Sequence, residues 1–256
     1  MTDPKPSPLF RFFESQHGDQ PWGSVLDAGT GAKSLSWVAS QPTDRWTAVT
    51  GSASHLDIVT EAIGTQKRAQ DNLILGNWAD PALLKGETFD TVLADYLLGA
   101  IEGFAPYFQG YLFARLRPLT AKNFYFTGLE PYVVGDKPAS EPLEILWQIG
   151  RFRDACVLLK GGSPYREYPA QWAADHMRAS GFKVLGAKHF KISYRAEFIN
   201  AQINISLSSL HGIGQPDLEQ ALTDQGEVLR ERALQHIEKE GALRGARNYA
   251  IAAEVA

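Results

Sequence analysis

The residues with most capacity for chemistry fall in one stretch, Ser24-Val25-Leu26-Asp27-Ala28-Gly29-Thr30-Gly31-Ala32-Lys33-Ser34. Asp27 places a carboxylate where an uninterrupted apolar run ends, and Thr30 offers a hydroxyl shortly after it. Gly29 and Gly31 let the backbone bend tightly and let a ligand approach the main chain, which a β-carbon would prevent. The helix expected from Ala32 to about Ser40 presents its free N–H groups toward the same place. Open α/β folds bind ligands at such carboxyl edges of their strands. A lone G-x-G also serves turn geometry alone, so the spacing by itself names no ligand.

A second carboxylate closes another apolar run, Thr88-Phe89-Asp90-Thr91-Val92-Leu93-Ala94-Asp95-Tyr96-Leu97-Leu98. Further along, Tyr132, Arg151, Tyr165, Arg166 and Tyr168 gather around a polar and aromatic segment, Gly161 to Pro169, that is too long to be only a connector. Arginine can clamp a carboxylate bidentately, and tyrosine offers a flat face with one hydroxyl. The bland alternative for Arg151, with Arg153 and Asp154, is a solvated helix face with internal ion pairing. Metal-ligand spacing such as H-x-x-x-H is missing, so no metal is expected.

The elements that must position these groups read as an alternation of strands and helices. Strands are expected at 24–27, Trp46–Gly51, Asn72–Trp78, 88–95, Lys122–Glu130, Phe182–Phe190 and Asn248–Val255. Helices are expected at Pro8–Ser15, Ala32–Ser40, from a Ser54 cap through Ile63, Phe104–Leu119, Glu144–Lys160, Ala170–Ser180 and Pro216–Gly241. Residues 193–211 fit two patterns, with Ile203, Ile205 and Leu207 alternating as in a strand and the start compatible with a helical turn. Residues 1 to 8, with three prolines, read as a loose tail.

Val25-Leu26-Asp27-Ala28-Gly29-Thr30-Gly31 resembles the first motif of the class I S-adenosylmethionine-dependent methyltransferases, and Phe89-Asp90 leading to Asp95-Tyr96 resembles that family's fourth motif, in the right order. The resemblance implies an α/β Rossmann-like three-layer sandwich with a mostly parallel seven-stranded sheet and an antiparallel terminal strand. It implies one domain over 1–256, with 1–20 as tail and candidate lid helix and 131–170 as an insertion that recognises substrate. It implies S-adenosyl-L-methionine as cofactor, held by Asp27, Gly29, Thr30 and Gly31, with Asp95 and Tyr96 facing both cofactor and substrate. Asn77 and Trp78 match the chemical demands of the adenine, with Asp80 a rival. Where the family carries an acidic residue for the ribose hydroxyls this sequence has Thr50-Gly51-Ser52. Either the hydroxyls of Thr50 and Ser52 serve, or Asp57 does, or the site is altered. His211 is a candidate general base for a protonated nucleophile, against ordinary surface or capping use.

The function implied is methyl transfer to an oxygen, nitrogen or sulfur of a small molecule. A non-catalytic binding or scaffold protein of the same fold is the first rival. An NAD-dependent oxidoreductase is the second, weakened by the missing third glycine and the missing acidic residue about twenty positions on. The whole-chain properties agree with a small-molecule enzyme. With 25 Lys and Arg against 29 Asp and Glu, the net charge of −4 argues against a broad nucleic-acid footprint. No apolar run of about 18 residues is present and the first residues lack a signal-peptide core, so a cytoplasmic address and no membrane are expected. The lone Cys156 excludes an internal disulfide and reads as a small buried hydrophobe. A small-molecule substrate is the expected partner, and a homodimer the assembly considered.

Overall fold

The computed structural model describes residues 6–256; most of the expected loose tail lies outside the described residues. Its frame is a seven-stranded sheet of order β3-β2-β1-β4-β5-β7-β6. The strands are β1 (Ser24–Asp27), β2 (Arg45–Thr50), β3 (Asn72–Leu75), β4 (Phe89–Asp95), β5 (Thr120–Leu129), β6 (Phe182–Tyr194) and β7 (Leu243–Val255). β1 runs parallel to β2 and β4, β2 to β3, and β4 to β5, while the terminal strand is antiparallel. The fold is thus the Rossmann-like sandwich of the class I methyltransferases.

The chain divides into two compact units. The first comprises Met1–Leu129, Glu167–Phe190 and Tyr249–Ala256, and the second Glu130–Arg166 and Lys191–Asn248. The expected substrate insertion falls mainly in the second unit, which also takes in most of the chain between the last two strands.

In the first unit the central strands are buried on both faces, so they alternate between two apolar layers rather than between core and water, whereas β3 and β6 keep exposed positions. Leu26, Val92, Phe124, Phe126, Tyr249 and Ile251 face one layer. Their neighbours Val25, Leu93, Tyr125 and Ala250 face the other. Helix α1 (Pro8–His17) belongs to that second layer: Phe10 stacks on Trp37 at 4.6 Å and Phe13 on Tyr125 at 4.9 Å. Helices α2 (Ala32–Ser40) and α3 (Ala53–Ile63) follow the first two strands. The cap of α3 is Ser52 rather than the expected Ser54; its hydroxyl accepts from the His55 N–H.

The expected long helix at 104–119 does not form. In its place stand α4 (Leu97–Ala100), 3-10 turns at Ile101–Gly103 and Gln109–Tyr111, α5 (Leu112–Leu116) and a further 3-10 turn at Arg117–Leu119. Pro106 cannot donate to a helical ladder, Tyr107 sits at φ 68°, and Gly110 follows, so the aromatic pattern is folded into turns. Helix α7 (Ala170–Ala179) completes this unit.

The second unit packs α6 (Glu141–Leu159), α8 (Ala196–Leu210) and α9 (Pro216–Glu240) around Ile145, Ile149, Phe152, Ile199, Ile203 and Leu229. The ambiguous 193–211 stretch is resolved as helix after Tyr194: Ile199, Ile203, Ser206 and Leu210 are buried at helical spacing while Ile205 is 52% exposed. Among the described residues no helix is long and apolar enough to cross a membrane.

Candidate functional site

The strand order reverses between β1 and β4, and such a switch point opens a crevice at the carboxyl ends of the strands. Asp27 ends β1 and Asp95 ends β4, so the two carboxylates predicted from sequence flank that point.

Asp27 is fully buried. Its Oδ2 accepts from the Ser34 hydroxyl at 2.8 Å. Burial pushes its pKa up to about 7; the Thr30 and Ser34 hydroxyls and the Gly29 N–H oppose this, and the Asp95 carboxylate adds to it. The Thr30 hydroxyl is itself buried and faces Asp27. Gly31 caps α2; its N–H donates to Ser34 Oγ at 2.9 Å, and a Cβ there would project into open space. Gly29 is constrained differently, since a Cβ there would lie 3.0 Å from Leu97. Of the two, it is Gly29 whose missing side chain makes room for a neighbour, Leu97.

Asp95 pairs in register with Thr127 across β4 and β5. That register delivers two hydrogen bonds to one hydroxyl: Thr127 donates to Asp95 Oδ1 at 2.5 Å and accepts from the Tyr96 N–H at 3.0 Å. Burial raises Asp95 to about 6, with Thr127 and the Lys33 ammonium holding it down. Tyr96 adopts the left-handed conformation, φ 49°, which aims the chain sharply away from the strand end. Ser34 and Thr127 were not singled out from sequence. The Asp95↔Thr127 pairing that reveals the second needs the strand register.

At the far side of the cleft, the Thr50 hydroxyl accepts from the Ser52 N–H at 3.3 Å, and the Ser52 hydroxyl lies 2.9 Å from that of Ser54. Asn77 and Trp78 lie just past β3 rather than within it, since that strand ends at Leu75. Trp78 is 3% exposed, and its indole N–H donates to the Ala28 carbonyl at 2.6 Å, bracing the glycine turn from below. Asn77 donates to the Phe104 carbonyl at 2.8 Å.

The substrate residues expected from sequence divide between the units. Tyr168 belongs to the first, stacked on Trp172 at 4.0 Å, with its carbonyl accepting from the Tyr249 hydroxyl. Tyr132, Arg151, Tyr165 and Arg166 belong to the second. There Asp154 binds Arg153 at 2.8 Å and Arg166 at 3.3 Å, and the Arg151 guanidinium lies over the Trp147 ring at 4.6 Å. Tyr132 lines a cavity of about 310 Å³ in that unit, together with Glu130, Asp136, Leu143 and Arg247. His211 follows α8, well exposed, 3.2 Å from Glu219. Among the described residues no group of three His, Cys, Asp or Glu side chains could hold a metal ion.

The site fits S-adenosylmethionine unevenly. At the amino-acid end the buried Asp27 carboxylate and Thr30 hydroxyl lie together beside the glycine turn, polar groups that suit a zwitterionic ligand end. At the adenosine end Asn77 is held by the Phe104 carbonyl, and the Phe104 ring lies against Gly51.

No protein-family model and no curated protein matches the sequence. Solved structures do match in fold. A proposed methyltransferase from Bacillus halodurans C-125 is similar at TM-score 0.59 and 13% identity, over 96% of this chain and 98% of that one. The cyclase SpnF, described as a 4+2 cyclase, is similar at TM-score 0.55 and 14% identity, over 96% and 79%. Coclaurine N-methyltransferase, solved with N-methylheliamine and S-adenosylhomocysteine, is similar at TM-score 0.53 and 14% identity, over 96% and 71%.

Proposed function

We propose that this chain is a cytoplasmic S-adenosylmethionine-dependent methyltransferase acting on a nucleophilic oxygen, nitrogen or sulfur of a small molecule. The observation that carries the reading is the fully buried Asp27 carboxylate at the end of β1, set beside the Thr30 hydroxyl and the glycine turn at the switch point of this fold. Asp27 and Thr30 would hold the amino-acid end of the cofactor, and Asn77 would hold the adenine. When bound, the cofactor supplies an electrophilic methyl group that needs alignment and exclusion of water more than proton chemistry. Thr127 fixes the Asp95 carboxylate and the Tyr96 backbone, so the strand end is preorganised where an acceptor would be aligned. Acceptor recognition is assigned to the 131–170 segment through Tyr132, Arg151, Tyr165, Arg166 and Tyr168, with His211 as the candidate base.

A second reading is a protein of this fold that binds a ligand without transferring methyl, supported by the resemblance in fold to a cyclase. The test is formation of S-adenosylhomocysteine when the protein is given S-adenosylmethionine with a panel of small amines, phenols, carboxylates and thiols. Turnover with any acceptor supports methyl transfer. Cofactor binding with no turnover across the panel supports the second reading.

A further inference from the structure

The run Thr50-Gly51-Ser52 stands where the resembled family places an acidic residue, and the structure shows what occupies that ground. A Cβ at Gly51 would lie 3.0 Å from Cδ1 and 3.2 Å from Cγ of Phe104, so any side chain at position 51 meets that ring. The same residue's carbonyl accepts from Asn77 Nδ2 at 2.8 Å, and Asn77 Oδ1 accepts from the Ala79 N–H at 3.0 Å. One residue therefore lies with its ring against Gly51 and holds with its carbonyl the amide assigned to the adenine.

The Phe104 backbone is held while its ring is partly exposed. It closes the 3-10 turn at Ile101–Gly103, donating its N–H to the Ile101 carbonyl at 3.0 Å. Ile101 and Ala105 on either side of it are buried in the core at 2% and 7% exposure, whereas Phe104 is 38% exposed. The turn is bracketed by Tyr96 at φ 49° and Tyr107 at φ 68°, non-glycine residues in the left-handed region. The base of the segment is fixed, and its aromatic tip lies half in solvent.

We propose that the Phe104 ring gates the adenosine end of the cleft. It occupies the ground beside Gly51, within the run that stands in place of the family's acidic residue, and a nucleoside enters only when the ring turns outward. The proposal rests on the cofactor reading above and explains why glycine stands at position 51: an acidic side chain there would collide with the closed gate.

The test is a double-mutant cycle read by calorimetric titration with S-adenosylhomocysteine. Phe104→Ala binds roughly tenfold more tightly than the natural chain, the gain expected when a state open about a tenth of the time becomes the resting state. Gly51→Asp alone brings no gain, because its side chain meets the ring. Added to Phe104→Ala, it tightens binding by a further factor of roughly ten, about what one charge-assisted hydrogen bond to ribose supplies. Phe104→Leu gives a smaller gain and keeps the turn packed, and unchanged melting curves confirm that the variants fold. If the natural chain binds and neither Phe104 variant binds more tightly, the gate is wrong and the cofactor reading stands. If the natural chain and every folded variant fail to bind at millimolar ligand, the cofactor reading falls and the gate with it.

Discussion

Asp27→Asn separates what this carboxylate costs the fold from what it does for a ligand. Asp27 is fully buried, and its pKa stands at about 7 against 3.8 for the free side chain. The difference is about three units, and at about 1.4 kcal/mol per unit this amounts to about 4 kcal/mol. The sign follows from proton counting. Between pH 4 and 7 the folded chain keeps a proton that the unfolded chain has lost, so stability falls as pH rises through that window and levels off above it. Asparagine keeps the shape and can still accept from Ser34, but it does not titrate. The variant and the natural chain should therefore be nearly equal in stability at pH 4. The variant should be the more stable by several kcal/mol at pH 8, and should lose affinity for a cationic ligand group. Urea unfolding of both proteins at half-unit steps from pH 4 to 8 reads the difference directly. Groups common to both, such as Asp90, whose pKa is lowered to about 2 by Lys122 and Ser24, cancel in it. A difference that is flat with pH would refute the argument that Asp27 is held protonated by burial.

Thr127→Val removes the hydroxyl that donates to Asp95 and accepts from the Tyr96 N–H. It should cost about 1–3 kcal/mol in unfolding free energy and move the Asp95 titration upward, measurable by urea denaturation and by carboxyl NMR shifts. Gly128→Ala places a methyl group against the ring of the fully buried Tyr249, whose hydroxyl donates to the Tyr168 carbonyl at 2.9 Å. Overpacking there should cost about 1–3 kcal/mol, seen as a lowered melting temperature.

The sheet was legible because its strands carry their own punctuation. Val25-Leu26-Asp27 and Phe89 to Asp95 are short apolar runs closed by a carboxylate, and a glycine turn marks the first crossover. Helices α6, α7 and α9 were legible from apolar spacing and terminal glycines or prolines. The failures have physical causes. The aromatic run after Phe104 has helical spacing, but Pro106 and the left-handed Tyr107 break the ladder, and composition alone does not show which turn results. Ile203, Ile205 and Leu207 suggested alternation, yet burial of Ile199, Ile203 and Leu210 reveals a helix whose outer face carries Ile205. Within the site, Asp27, Thr30 and Gly31 could be chosen from sequence because the strand-turn-helix pattern brings them together locally. Thr127 and Phe104 could not, since each acts through a tertiary contact: one through strand register, the other by folding a turn back onto Gly51. The absence of an acid from Thr50-Gly51-Ser52 was visible in the sequence, but the ring that lies against Gly51, that of Phe104, was not.

The central claim is that the crevice between β1 and β4 binds S-adenosylmethionine through Asp27. Calorimetric titration of the purified chain with S-adenosylmethionine and with S-adenosylhomocysteine, repeated on Asp27→Ala and Phe104→Ala, tests it most directly. The account predicts saturable one-to-one binding of both ligands, strengthened in Phe104→Ala and lost in Asp27→Ala. Absence of binding in the natural chain and in Phe104→Ala alike, or equal binding with and without the Asp27 carboxylate, would contradict it.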